Sequence, residues 1–207
     1  MAGLMILMSG AVWPLGSNRR VPGGSARVQT VATEDDLLEE MQRRALRYFV
    51  EQTDRRSGLT RDRARTDGPA STAPARVAAT GFALTAWCIA DQRGWLPPGE
   101  ARRRLRETLK FVAAHVAHER GWLYHLADAK SGQGAGDCEA STIDTAIFLE
   151  GAIFAREYLA DERVRMLVGE LYGRVDRGWA LNGGPRSRTG GCRKPGFCPT
   201  AGMPMRR

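Results

Sequence analysis

The alternation of apolar and polar positions predicts five helices. The first runs from about Glu34 to Gln52, with Thr33 placed to cap it and Asp36 in its first turn. Leu38, Met41, Ala45, Tyr48 and Phe49 make one apolar stripe, and the opposite side is rich in Arg and Glu, the pattern of an amphipathic surface helix. The second runs from about Ala75 to Gln92 and is apolar nearly all round, as expected of a helix buried on most sides. Gly94 and the Pro97-Pro98 pair end it and set up the next. The third, from about Gly99 to Ala117, is amphipathic. Its Leu105, Leu109, Val112 and Val116 lie opposite Arg102, Arg103, Arg106 and Lys110. The fourth, from about Ser141 to Tyr158, is again apolar all round. The fifth, from about Asp161 to Val175, carries one stripe of Val164, Leu167, Val168, Leu171 and Val175.

The order is therefore outer, inner, outer, inner, outer. A plain antiparallel bundle would make every helix similarly amphipathic. The alternation instead predicts an all-α fold, a partial (α/α)6 toroid in which inner and outer helices alternate. The connections after the second and fourth helices are short, and those before them, about Thr53–Pro74 and His118–Ala140, are long. Both long loops should thus meet on one rim, at the N-terminal ends of the inner helices, where sites are commonly built. A closed ring of about twelve helices of ordinary length exceeds this chain. The open flanks of the two inner helices are expected to show apolar surface to water.

Composition changes the picture at the ends of the chain. The net charge of +8 invites a nucleic-acid reading. However, residues 1–176 carry 24 basic and 23 acidic side chains, and residues 177–207 carry seven basic and no acidic ones. The basicity belongs to the tail, which lacks the interleaved aromatics that base stacking uses. Nucleic-acid binding therefore ranks last, and no nucleic-acid partner is expected. The stretch Leu4–Leu15 is too short to span a membrane and resembles the apolar part of an export signal, although no Lys or Arg precedes it. The chain divides into 1–32, an export signal or disordered N-terminus; 33–184, an incomplete helical domain; and 185–207, an irregular basic tail. Of the four cysteines, Cys88 and Cys138 lie in the body and Cys192 and Cys198 in the tail. No spacing suggests zinc, and Cys88 is expected as a buried free thiol.

The densest chemistry lies at Asp137-Cys-Glu139-Ala-Ser141-Thr-Ile-Asp144, where a long loop opens an inner helix. Ser141 can cap that helix. Glu139 and Asp144 can meet a sugar hydroxyl or donate a proton. Equally, acids at a helix start can serve the macrodipole and the free N–H groups. The earlier loop holds Arg61 and Asp62, and the later one Trp122, Tyr124 and His125. These are the residue types of a sugar site, an aromatic platform with bidentate polar groups. For Trp122 and Tyr124 simple loop packing is the competing reading, and a single histidine is weak evidence.

GlyLeuThrArgAspArg at 58–63, AlaAlaThrGlyPheAlaLeu at 78–84, ArgGlyTrp at 93–95, ArgGlyTrpLeuTyrHis at 120–125 and GluAlaSerThrIleAspThrAla at 139–146 together resemble the glucoamylase-like domain. That group includes the β-1,2-glucan hydrolases of glycoside hydrolase family 144. The resemblance covers about residues 34–184. It implies an (α/α)6 toroid in an exported, periplasmic or secreted protein, and inverting hydrolysis of a β-linked glucan with no metal or other cofactor. It also implies an acidic site at Glu139 and Asp144. Glycosidases use two carboxylates, about 6.5–9.5 Å apart for inversion, and a second one here is not fixed by the sequence. Beyond Gly184 the likeness stops, and the Arg-, Gly-, Pro- and Cys-rich tail is what a shift of reading frame near that residue would give. An enzyme so shortened is expected to be impaired. The alternative is a non-catalytic glycan-binding or interaction module, and the oligomeric state is left open.

Overall fold

The computed structural model describes residues 33–67, 71–181 and 190–191. Six helices follow in order: α1 (Glu34–Gln52), α2 (Val77–Gln92), α3 (Glu100–His115), α4 (Thr142–Leu159), α5 (Glu162–Gly173) and a short α6 (Arg177–Leu181). The caps are those the side chains suggest. Thr33 Oγ1 accepts from the Asp36 amide, Ser141 from Asp144 and Asp161 from Val164. Left-handed Ala160 closes α4, and the two-residue link Ala160–Asp161 turns the chain into α5.

Helices α2 and α4 form the inner layer and lie side by side, parallel and in step. Arg76, just before α2, meets Asp144 in the first turn of α4, and Asp91 at the far end of α2 accepts from the Tyr158 hydroxyl near the end of α4. Between these ends the backbones touch. A Cβ on Gly81 would stand 2.6 Å from the Ile147 carbonyl oxygen, and one on Gly151 would stand 2.1 Å from the Gly81 carbonyl oxygen. Only glycine admits such an approach. Leu84, Trp87, Phe148, Ala152 and Ala155 fill the core around this crossing.

Helices α3 and α5 form the outer layer, also parallel to each other. Arg102 and Arg106 of α3 both pair with Asp161 at the start of α5, and Arg174 just after α5 donates to the Ala113 carbonyl oxygen near the end of α3. Arg104 of α3 lies over the Trp87 ring of α2, with its guanidinium carbon 4.5 Å from the ring centre. The apolar stripes of α3 and α5 are buried as their spacing predicts. The alternation of inner and outer helices is therefore the observed architecture.

Helices α2 and α4 are buried on most sides, as expected, and each leaves one stripe open: Phe82 and Ile89 on α2 and Ile143 and Phe154 on α4 are 42–57% exposed. The apolar surface expected to meet water is this stripe on each inner helix. The stripe on α1 is used only at its C-terminal end. Phe49, with Leu46 and Val50, packs on the core, but Leu38 and Met41 remain 53% and 57% exposed.

The long loops are more ordered than the sequence pattern suggests. Their extended pieces are two residues long: β1 (Ala75–Arg76), β2 (His118–Glu119), β3 (Trp122–Leu123), β4 (Leu126–Ala127) and β5 (Ala140–Ser141), and β6 (Gly190–Gly191) joins them from the tail. β1 pairs antiparallel with β4, β2 with β3, and β5 with β6. Single bridges add Arg61 to Ala75 and Tyr124 to Ala140. A ribbon thus crosses the N-terminal ends of both inner helices, in the order 60–61, β1, 124–127, β5, β6. This pairing takes Ala75 and Arg76 out of the predicted second helix.

Each long loop also contains the same turn, Asp-x-x-Ser-Gly, at 54–58 and 128–132. In both, one carboxylate oxygen of the Asp accepts from the amides two and three residues on. In both, the Gly amide returns to the Asp carbonyl, with Gly φ at +72° and +76°. The two turns touch, since Ser57 Oγ donates to the Ala129 carbonyl oxygen at 2.5 Å.

The tail predicted as irregular and the N-terminal segment predicted as an export signal lie outside the described residues, apart from Gly190–Gly191. Among the described residues no helix is long and apolar enough to cross a membrane. Cys88 and Cys138 are buried free thiols, as expected for Cys88, and burial pushes the Cys88 thiol up to about 12.

The glycine crossing yields a stability test. Gly81→Ala and Gly151→Ala should each destabilise the fold by about 1–3 kcal/mol, because backbone atoms must move to admit the methyl group. Gly169→Ala, in a part of α5 with open space around it, should instead gain about 0.5–1 kcal/mol. Urea unfolding of the three variants checks the contrast.

Candidate functional site

The ribbon and the first turns of α2 and α4 bring charged side chains from distant parts of the chain together. Arg76 is the hub. Its Nε donates to Asp144 Oδ1 at 3.0 Å and its Nη1 to Asp62 Oδ1 at 3.0 Å. The side chains of Asp62 and Asp144 are 11% and 9% exposed, whereas that of Arg76 is 40% exposed. Burial raises the Asp62 carboxyl, but hydrogen bonding and charge from Arg76 and Arg63 outweigh it and leave its pKa below the ordinary value. The Arg76 guanidinium is shifted upward, first by its bond to Asp62.

Asp144 is engaged at both oxygens. Oδ1 takes the Arg76 bond, and Oδ2 accepts from the Ser141 hydroxyl at 2.7 Å. The Asp144 amide returns to Ser141 Oγ at 3.1 Å. That reciprocal pair is a capping box with Asp in the place of the usual Glu. The cap reading of Asp144 thus has direct geometric support, with an ion pair added to it.

Glu139 differs. It is exposed, and among the described residues its carboxylate has no hydrogen bond or ion pair. Its backbone carbonyl accepts from the His125 amide at 3.1 Å and lies 3.2 Å from His125 Nδ1. The His125 carbonyl in turn accepts from the Val77 amide at the start of α2. His125 therefore stands between Arg76 and Glu139 on the ribbon.

The other predicted residues divide. Arg61 sits on the first strand of the ribbon, where its Nη1 donates to the Ala73 carbonyl and its own carbonyl accepts from the Tyr48 hydroxyl. Asp62 joins the cluster directly. Trp122 is buried, and its indole N–H donates to the Asp176 carbonyl oxygen at 2.8 Å, so its ring packs in the core and is not an open platform. Tyr124 is also buried, at 6% exposure, beneath the bridge to Ala140. The structure therefore brings Asp62, Asp144, Glu139 and His125 to one rim with Arg61 beside them, and places Trp122 and Tyr124 inside. Arg76 was not singled out by the sequence, because an arginine before an apolar helix carries no motif. Among the described residues no three His, Cys, Asp or Glu side chains cluster as a metal site would require.

No family model matches the chain. It is 25% identical over 158 residues to the exo β-1,2-glucooligosaccharide sophorohydrolase (non-reducing end) of Parabacteroides distasonis, a match covering 71% of this chain and 21% of that protein. Its fold matches the endo-β-1,2-glucanase of Chitinophaga pinensis, solved with sophorotriose and glucose, at a TM-score of 0.67 and 19% identity. A glucoamylase-assigned protein of Bacteroides fragilis matches at 0.64 and 26%. These superpositions cover 76% and 79% of this chain and 40% of each of those chains. The chain's relatives are glucoamylase-like proteins of the β-1,2-glucanase group. The likeness extends over most of this chain but less than half of theirs, and it supports the partial all-α toroid read from the helix alternation.

The depressed Asp62 carboxyl has a definite pH consequence. A group whose folded pKa lies below its unfolded value, ~3.9 for Asp, stabilises the fold fully above that value. The contribution is lost as pH falls through the folded pKa. Asp62→Asn should therefore be less stable than the wild type near neutral pH, and the gap should narrow as the solution is acidified below the ordinary Asp range. Urea midpoints measured across that range check the sign; a gap that does not change with pH would discount the ion pair with Arg76.

Proposed function

We propose that this chain forms part of a glycoside hydrolase site acting on β-glucan, with β-1,2-linked glucan as the substrate. The observation that carries the reading is the convergence of both long loops on the Arg76 cluster beside the exposed Glu139 carboxylate. The relationship to β-1,2-glucan hydrolases supports the substrate class. In this reading Glu139 is the proton donor to the leaving oxygen. Asp144, fixed by Ser141 and Arg76, orients the sugar and holds the start of α4. Arg61, Asp62 and His125 line the rim, and Trp122 and Tyr124 support it from within. An inverting mechanism would need a second carboxylate to activate water. An exported location goes with the polysaccharide substrate.

Release of reducing sugar from purified β-1,2-glucan tests this directly. Glu139→Gln should lower the rate by roughly 10²–10⁴, the usual contribution of a positioned acid. A folded wild-type protein that releases no sugar from any β-glucan would exclude hydrolysis.

One observation favours a second reading, a glycan-binding module without catalysis. Both oxygens of Asp144 already serve the helix cap and the ion pair. Glycan binding that survives loss of both Glu139 and Asp144, in a folded protein that releases no reducing sugar, would select it.

A further inference from the structure

We propose that Arg76 is a sugar-contacting residue whose guanidinium, held from behind by Asp62 and Asp144, offers its remaining N–H groups to adjacent hydroxyls of a glucosyl unit on the rim. The inference rests on the β-glucan reading and assigns a binding group within it.

A guanidinium carries five N–H donors in one plane. The bonds to Asp144 and Asp62 use one on Nε and one on Nη1. Nη2 has no hydrogen-bond partner among the described residues, and the side chain is 40% exposed while its two partners are nearly buried. The acids thus lie on the protein side and the cation is open to solvent. A surface ion pair held by one acid would leave a long side chain mobile. Two acids, one on the first long loop and one in the first turn of α4, fix the plane of this one. A ligand meeting it has little side-chain entropy left to remove.

The charge balance points to the class of ligand. With Arg63 also paired to Asp62 at 2.9 Å, two carboxylates balance two guanidinium groups and leave no net positive charge in the cluster to attract an anion. What remains is a rigid set of donors suited to a neutral polyol. The position agrees as well. Arg76 pairs with Leu126 on the ribbon, and the neighbouring His125 binds the Glu139 backbone carbonyl. One strand therefore separates the proposed contact from the exposed carboxylate.

The test uses the full chain labelled with 15N-arginine and titrated with sophorotriose. The Arg76 Nε–Hε signal, assigned by its loss in Arg76→Lys, should move with saturation. Calorimetry should show sophorotriose binding weakened by about tenfold or more in Arg76→Lys, as for loss of hydrogen bonds from a charged donor. A lysine keeps the charge but cannot bridge both acids and the sugar. If that variant does not fold, Asp62→Asn releases one tether and should bind sophorotriose more weakly, with the Nε–Hε signal still moving. Wild-type binding with an unmoved signal, or with equal affinity in the folded variant, overturns the inference and leaves the glucan reading intact. Absence of any sophorotriose binding to the wild type overturns both.

Discussion

The arrangement depends on one contact, the crossing of α2 and α4 at Gly81 and Gly151. Two apolar helices can pack in many registers, but a backbone-to-backbone approach leaves few of them. With Gly81 against Ile147 and Phe148, the helices run parallel and in step. That register puts Arg76 beside Asp144 at one end and Asp91 beside Tyr158 at the other. A shift of one turn, about 5.4 Å, would break both pairs and separate the loops that meet on the rim. The outer helices follow the same register through Arg102 and Arg106 on Asp161.

The rim separates its carboxylates by environment. Asp62 and Asp144 are nearly buried and share one guanidinium, whereas Glu139 is exposed and uncommitted among the described residues. A carboxylate with both oxygens engaged is a poor proton carrier and a good anchor. A free one has the opposite character. The helix start accounts for part of this division. Ser141 and Asp144 satisfy the first turn of α4 reciprocally, so the polar atoms there stabilise structure before they can serve a ligand.

Much of the fold was legible from the chain alone. The apolar spacing located five helices to within about two residues, and Thr33 and Ser141 declared themselves as caps. The all-round apolar character of the second and fourth helices identified the inner layer. It could not show which flank would be covered, because periodicity reports how apolar a face is and not whether a neighbour stands there. The two-residue strands left no trace, since their pairing is wholly tertiary. Of the site, Glu139, Asp144 and Asp62 were readable as acids at loop ends. Arg76 became visible only once two acids distant in sequence were seen to meet on it. The indole of Trp122 had two readings, and its bond to the Asp176 carbonyl shows which one applies. The repeated Asp-x-x-Ser-Gly was present in the sequence at 54 and 128, but five residues in a loop carry little weight without the shared hydrogen bonds.

That repeated turn, with the inner and outer helices that follow each copy, makes the molecule modular. Each unit is a loop, an inner helix and an outer helix, and each touches mainly the next. Stability in such an array is close to a sum of unit terms and nearest-neighbour terms, as in linear repeat proteins. A lesion in one unit reaches the other across a broad interface, through the Gly81–Gly151 crossing, the Arg76–Asp144 and Tyr158–Asp91 bonds, Asp161 under Arg102 and Arg106, and the Ser57–Ala129 bond. Because α2 packs on α4 and α3 on α5, removing either unit would strip both helices of the other of their partners at once, so the two units are expected to unfold as one.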